Sequence, residues 1–260
     1  MLRFRRGVYV ATMTLTVVSY NFLSGGSHKR SGHWSRLVRD LEADLVFAQE
    51  CRPPRDCPGE SYRLFTDDGW IWAPAGSARW GSAVLTRSTG IQPIPFPRYE
   101  GWVVGGEILG LSGADGRPVR GFSIHCPVGE RGYVRTMHEI LDVLVPLAAG
   151  AELILAGDYN VATGYRHPTE GRTISRGERE ILERLSGELQ LVSCWQAANP
   201  GRPLAQTLRW STNPTTPYHC DGIFVPRSWL PRLKSCRVVR GSRWTQLSDH
   251  NPVVAEFHID

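Results

Sequence analysis

The chain has 260 residues, 41% of them hydrophobic, and a formal charge of +5 at pH 7 carried almost wholly by arginine, with Lys29 and Lys234 the only lysines. That length and apolar fraction supply one large core and exclude a disordered or fibrous chain. Six scattered cysteines without zinc-finger spacing exclude a disulfide-built scaffold, and no run approaches the roughly 18 consecutive apolar residues of a membrane span.

Residues 1–13 read as a loosely attached extension. A basic start followed by an apolar, β-branched run over 8–23 imitates a secretion signal, but no small-residue cleavage site follows it. The run therefore predicts the first strand, at 15–20, and cytoplasm is the default location, with secretion still open. In an exported chain Cys51 and Cys57, which share a Pro-rich loop, could pair. Trp34, Leu37, Val38 and Leu41 recur at helical spacing and predict a helix before a strand at 45–48, which delivers Gln49 and Glu50. Further strands are predicted at 83–86, 103–109 and 119–124. A helix over 134–147 places Val134, Met137, Leu141, Leu144 and Val145 on one stripe. After a strand at 153–156, Ser175 and Glu178 form a capping box for a helix that Gly187 can stop. Strands at 189–192, 222–225, 236–239 and 253–257 complete the set. So many short strands imply more than one sheet, giving a layered α/β domain whose helices cover outer faces while inner sheet faces pack together. No linker or low-complexity run divides the chain, so 1–260 reads as one domain.

Polar residues cluster at the ends of these apolar strands, where side chains can point into a cleft. Asn21 and Glu50 offer neutral and anionic oxygen suited to magnesium or manganese. In Gly-Asp-Tyr-Asn at 157–160, an extended backbone puts Asp158 and Asn160 on one side and Tyr159 on the other, although an Asx-type turn would use the same residues. Asp158 can hold water or contact metal, and Asn160 can donate to a phosphate oxygen. His125 closes its strand as a donor to phosphate. His250 follows Asp249 directly, so the two diverge; Asp221 is the better partner for the His250 imidazole, leaving Asp249 to supply a metal oxygen. Arg131, Arg135 and Arg166 are candidate substrate contacts, with Arg172 beside them, although arginines at helical spacing commonly face solvent. Trp70, Trp72, Trp80 and Trp102 lie near loops, and Trp210 is the preferred rim-forming aromatic.

Val-Val-Ser-Tyr-Asn at 17–21, Gln49-Glu50, Gly-Ser-Ala-Val-Leu-Thr-Arg at 81–87, Ile124-His125, Gly-Asp-Tyr-Asn at 157–160, Cys-Asp-Gly-Ile-Phe-Val at 220–225 and Ser-Asp-His at 248–250 resemble, in that order, the stations of the endonuclease/exonuclease/phosphatase superfamily, or DNase I-like fold. The resemblance spans nearly the whole chain. It implies a four-layer αββα sandwich, two packed mixed sheets flanked by helices. It makes Glu50 the principal metal ligand, supported by Asn21 and Asp249, with Asp158 on water, Asn160 and His125 on phosphate, and Asp221 partnering His250. The implied reaction is in-line attack of water on a phosphodiester, assisted by one or two Mg2+ or Mn2+ ions, with His250 either base or charge stabiliser. DNA or RNA is the preferred substrate. A phosphatase or phosphodiesterase acting on a small metabolite or lipid headgroup, such as an inositol phosphate or sphingomyelin, is the alternative, and a non-catalytic binding scaffold is the third reading. The strand-end histidine resembles the nuclease, deadenylase, tyrosyl-DNA phosphodiesterase and sphingomyelinase branches. Apurinic-site nucleases carry an asparagine-containing segment there, which weighs against abasic-site repair.

Overall fold

The computed structural model describes residues 13–25, 32–57, 67–113, 115–210 and 212–259. Residues 1–12 of the expected extension lie outside these; Met13 is already the first residue of a strand.

Two six-stranded sheets form the body. The first runs in the order β13 (Leu233–Val238), β14 (Val253–Ile259), β1 (Met13–Asn21), β2 (Leu45–Cys51), β4 (Gly81–Thr86), β3 (Trp70–Pro74). The second runs β5 (Ile91–Ile94), β6 (Val103–Ser112), β7 (Pro118–His125), β8 (Glu152–Asp158), β12 (Asp221–Pro226), β9 (Leu191–Ser193). Each sheet has one parallel pair, β1 with β2 and β7 with β8, and its other pairs are antiparallel. Alternation along the strands builds the layers. Leu15 and Val17 face the cluster between the sheets with Phe47, Ile154 and Ile223, whereas Val18 and Tyr20 face outward. On that outer face helix α1 (His33–Arg39) buries Trp34, Leu37 and Val38. Helices α2 (Gly132–Leu147) and α3 (Arg176–Gly187) cover the outer face of the second sheet through Met137, Leu141, Leu144, Ile181 and Leu185. The result is the four-layer αββα sandwich.

The Ser175–Glu178 capping box forms as expected. Helix α1 is shorter than its apolar spacing predicts and stops before Leu41. Among the described residues, fourteen strands replace the expected ten. Strands β3 and β5 are sheet edges, and β5 carries Pro93, which an edge tolerates. Trp70 and Trp72, expected near loops, lie within β3. A polar hairpin of β10 (Leu208–Trp210) and β11 (Asn213–Tyr218) contains Pro214 and Pro217 and lacks an apolar alternation to announce it. Two short helices, α4 (Cys194–Ala198) and α5 (Ser242–Thr245), complete the elements used below. Cys51 is buried, and the Cys57 thiol is directed at the Arg52 and Pro53 carbonyls, so the suggested disulfide is absent. No helix among the described residues is long and apolar enough to cross a membrane.

Topology brings the chemistry to one edge. The parallel strands β1, β2, β7 and β8 end there, while the antiparallel β12 and β14 begin there, Asp221 lying opposite Asp158 in register.

Candidate active site

Glu50 reaches the pocket from a bulge. Its φ is 47°, and the β2–β4 register shifts between Ala48 and Cys51. The bulge is anchored from below: the buried Gln49 amide donates to Phe47 O at 3.0 Å and Ser123 Oγ at 2.9 Å, and Ser123 Oγ donates to Ala48 O at 2.9 Å. A hydrogen-bonded strut thus joins the two sheets directly beneath the site. Above it, Ser24 gives its N–H at 2.6 Å and its hydroxyl at 3.3 Å to Glu50 Oε2.

Asp158 is fully inside. Gly157, just before it, stands where a Cβ would meet Ile124 O at 1.8 Å, so only glycine allows β8 to lie this close to β7. Asn160 has φ 52°, and its N–H is held by Asp158 Oδ1 at 3.0 Å. This is a turn, and the expected extended Asp-Tyr-Asn backbone is corrected: the Asp carboxylate captures a local N–H. Tyr159 nevertheless points into the outer core against Phe224, as expected. The Asn160 amide donates to Cys126 O at 3.0 Å and sits 3.4 Å from Asp158 Oδ2.

Asn21 donates to Glu50 Oε1 at 3.2 Å and to Asp158 Oδ2 at 3.1 Å, while its own oxygen accepts from Leu23 N at 2.9 Å. In this structure the Asn21 oxygen is taken by Leu23 N and its N–H groups are turned to the two carboxylates. Two neighbouring carboxylates demand a donor between them, and the amide supplies it. His125 Nε2 lies 3.6 Å from Glu50 Oε1 and 4.0 Å from Asp158 Oδ2. Burial pushes its pKa down to about 4 despite the pull of Glu50, so the ring is neutral. Trp80 and Trp102, both half-buried, flank it at centroid distances of 5.7 and 5.0 Å.

The His250 pair forms as expected, Nδ1 lying 2.9 Å from Asp221 Oδ2. Nε2 faces Asp158 Oδ2 at 3.8 Å and Asp249 Oδ1 at 4.0 Å. Burial opposes charge on this ring, but Asp221 and Asp158 outweigh it and raise the pKa to about 10. Asp158 is pushed up to about 7, chiefly by burial and then by Asp221, with His250 opposing. Two hydroxyls hold this half of the pocket. Thr207 Oγ1 accepts from the N–H groups of Cys220 and Asp221, each at 3.1 Å, and Ser248 Oγ donates to Asn21 O at 2.8 Å while accepting from His250 N at 3.0 Å. Asp249 stands on the His250 side, half-exposed.

Asp158, Cys220, Asp221 and His250 could hold a divalent cation, their ligand atoms lying within 4.8 Å of one another. Burial raises the Cys220 thiol well above its usual range, which makes it a poor partner for a hard ion. The Glu50 and Asp158 carboxylates, bridged by Asn21, are the harder oxygen set in the same pocket.

The arginines expected at the substrate stand in different settings. Arg166 is nearly buried, with Nη1 on Glu170 at 2.8 Å and Nη2 on Pro217 O at 3.1 Å, so that it ties two loops together. Arg135 pairs with Glu139 at 3.1 Å. Arg131 precedes α2 and shares with Arg98 and Arg135 a groove of about 440 Å³. Trp210 is 49% exposed beside Tyr218, on a hairpin bridged to the site between Leu208 and His250. Sequence reasoning missed Ser24, Thr207, Ser248 and the flanking role of Trp80 and Trp102. It also missed Arg52, whose buried Nε has no hydrogen-bond partner among the described residues beside Gly25 and Trp80. Ser248, within Ser-Asp-His, was the one in plain view.

Paired carboxylates beside a buried His–Asp couple, at the open edge of an αββα sandwich, define a metal-dependent phosphoric-ester hydrolase. The chain belongs to the Endonuclease/Exonuclease/phosphatase family, whose pattern matches residues 18–250. No curated protein sequence matches it. Among solved structures it is similar to an AP endonuclease from Archaeoglobus fulgidus (TM-score 0.69, 16% identity, covering 94% of this chain and 100% of that one). The APE2 catalytic domain of Xenopus laevis is similar too (0.68, 18%, 94% and 93%), as is the AP endonuclease LMAP of Leishmania major (0.65, 15%, 95% and 88%). At such identities the likeness is one of fold.

Proposed function

We propose that this protein hydrolyses phosphodiester bonds in DNA or RNA with Mg2+ or Mn2+, the ion held chiefly by Glu50. The observation that carries the reading is the convergence of Asn21, Glu50, His125, Asp158 and His250 within hydrogen-bonding or ion-pair reach of one another. A bound divalent cation would neutralise non-bridging phosphate oxygens. Asp158 orients the attacking water and accepts its proton as the new P–O bond forms, while the P–O bond to the displaced sugar oxygen breaks and that oxygen takes a proton from solvent. His250, held protonated by Asp221, donates from Nε2 to the phosphoryl oxygens as negative charge grows. Of the two roles open from sequence, this assigns charge stabiliser. Neutral His125 contacts phosphate, and Asn160 positions Asp158.

Nucleic acid is favoured by the basic composition, by the half-exposed Trp80 and Trp102 beside His125, and by the likeness in fold to AP endonucleases. The strand-end His125 differs from the asparagine-containing segment expected there of apurinic-site nucleases, which gives abasic sites less weight than intact strands. Purified protein is assayed on single-stranded DNA, duplex DNA, abasic duplex, RNA, an inositol phosphate and sphingomyelin, each with Mg2+, Mn2+ or chelator. Nucleic acid should be cut only with metal, and Glu50→Ala should abolish cutting. Hydrolysis of the headgroups with inert nucleic acid would overturn the substrate.

A further inference from the structure

Residues 222–248 hold six Lys/Arg and no Asp or Glu, while the rest of the chain holds 24 basic and 25 acidic residues. The entire formal excess of positive charge therefore sits in one segment. That segment is not scattered in space. It leaves β12 at the end remote from the site with Arg227 and Arg232, enters edge strand β13 with Lys234 and Arg237, and climbs towards the site, because Val238 lies opposite Val253 and Val253 opposite Ser19, two residues before Asn21. Arg240 and Arg243 follow, and the chain then turns through α5 into Ser248, Asp249 and His250. Arg227, Lys234, Arg237, Arg240 and Arg243 are exposed. Only Arg237, on Glu256 at 2.6 Å, and Arg243, on Asp40 at 3.6 Å, form ion pairs among the described residues. Charged side chains also protect a sheet edge from pairing with another chain. That need is met by either sign, so it does not account for a segment with six cations and no acid of its own, although Lys234 and Arg237 line a groove with Asp40, Glu42, Asp44 and Glu256.

We infer that the β13 edge and the 239–243 turn form an accessory track for the phosphate backbone, binding nucleic acid that extends beyond the cleaved bond. The inference rests on the nucleic-acid reading of the active site. A six-residue strand spans about 20 Å, long enough to lie beside several backbone phosphates. Contacts of this kind carry no sequence information and strengthen binding in proportion to the counterions released.

The track is tested with Lys234→Gln/Arg240→Gln, whose side chains make no ion pair among the described residues, against Arg176→Gln/Arg179→Gln on α3, which removes the same charge from the opposite layer. Binding of a long oligonucleotide is measured without metal across a salt series, and turnover is measured on the long strand and on a dinucleotide. The first double variant should flatten the slope of log affinity against log salt by about 1.8 on duplex or about 1.4 on single strand. It should raise KM on the long strand while kcat and dinucleotide turnover stay unchanged, and the α3 variant should behave as wild type. If wild type binds and cuts the long strand but the two variants give the same slope, the track is overturned and the active-site reading stands. If wild type neither binds nor cuts nucleic acid, the substrate reading falls, and the track with it.

Discussion

Asp158 Oδ2 lies 3.8 Å from His250 Nε2, while the other nitrogen of that ring is held 2.9 Å from Asp221. One oxygen of Asp158 is thus also the meeting point of Asn21 at 3.1 Å, Asn160 at 3.4 Å and His125 at 4.0 Å. Both strands of the β8–β12 pair, each contributing a carboxylate at the same register position, bring this about. The pocket concentrates two negative charges and lets one imidazole answer both.

Removing the charge that answers from behind should be costly. Asp221→Asn leaves the shape of the pocket but weakens the grip on the imidazole, so kcat should fall about 10²- to 10⁴-fold with little change in KM. Proton NMR of His250 provides the independent reading. Its pKa should drop from about 10 towards the ordinary range. An unchanged titration would mean that Asp158 alone sustains the charge.

The same ring makes apo-protein stability depend on pH. The folded pKa of His250, about 10, is above the unfolded value of about 6.5, so its stabilisation is complete below the unfolded value and is lost as pH rises through 10. His125 acts in the opposite sense, its stabilisation being present above about 6.5 and lost as pH falls towards 4. With chelator present, the thermal midpoint should decline from pH 7 to 10, and His250→Gln should flatten that decline. A decline of equal steepness in the variant would assign it to other groups.

The strut beneath Glu50 predicts a coupled defect. Ser123→Ala strips the buried Gln49 amide of one partner and Ala48 O of its donor, costing about 1–3 kcal/mol in urea unfolding. The Glu50 bulge loosens with it, so Mn2+ binding followed by tryptophan fluorescence should weaken. Ser123→Thr, which keeps the hydroxyl, should restore binding. Loss of stability with unaltered metal affinity would confine the strut to the core.

Trp80 packs edge-on against Trp102 at 5.4 Å beside His125. If a base stacks there, Trp80→Ala should cost about 1–3 kcal/mol of binding, roughly 5- to 150-fold in KM on single strands, with kcat and a dinitrophenyl phosphodiester unaffected. Equal losses on both substrates would make the ring a support for His125.

The strand ends were legible because apolar runs announce strands and polar residues mark where they stop. That sufficed for Asn21, Glu50, His125, Asp158, Asp221 and His250, and for the pairing of His250 with Asp221. The capping box at Ser175 was legible for the same reason, being a local exchange of hydrogen bonds. Strands β3 and β5 and the β10–β11 hairpin were not, because pairing with a neighbour, and not alternation, makes them strands.

The sequence by itself determined which residue types stand at the site edge and in what order, since spacing and periodicity act over a few residues. Which atom each presents was decided only by tertiary structure. The Asn21 amide turns its N–H to Asp158, 137 residues away, Gln49 reaches Ser123, 74 residues away, and Arg166 is held by Glu170 and Pro217. Such choices minimise unpaired charge and unmet hydrogen bonds among segments that meet only after folding, and no local pattern records them.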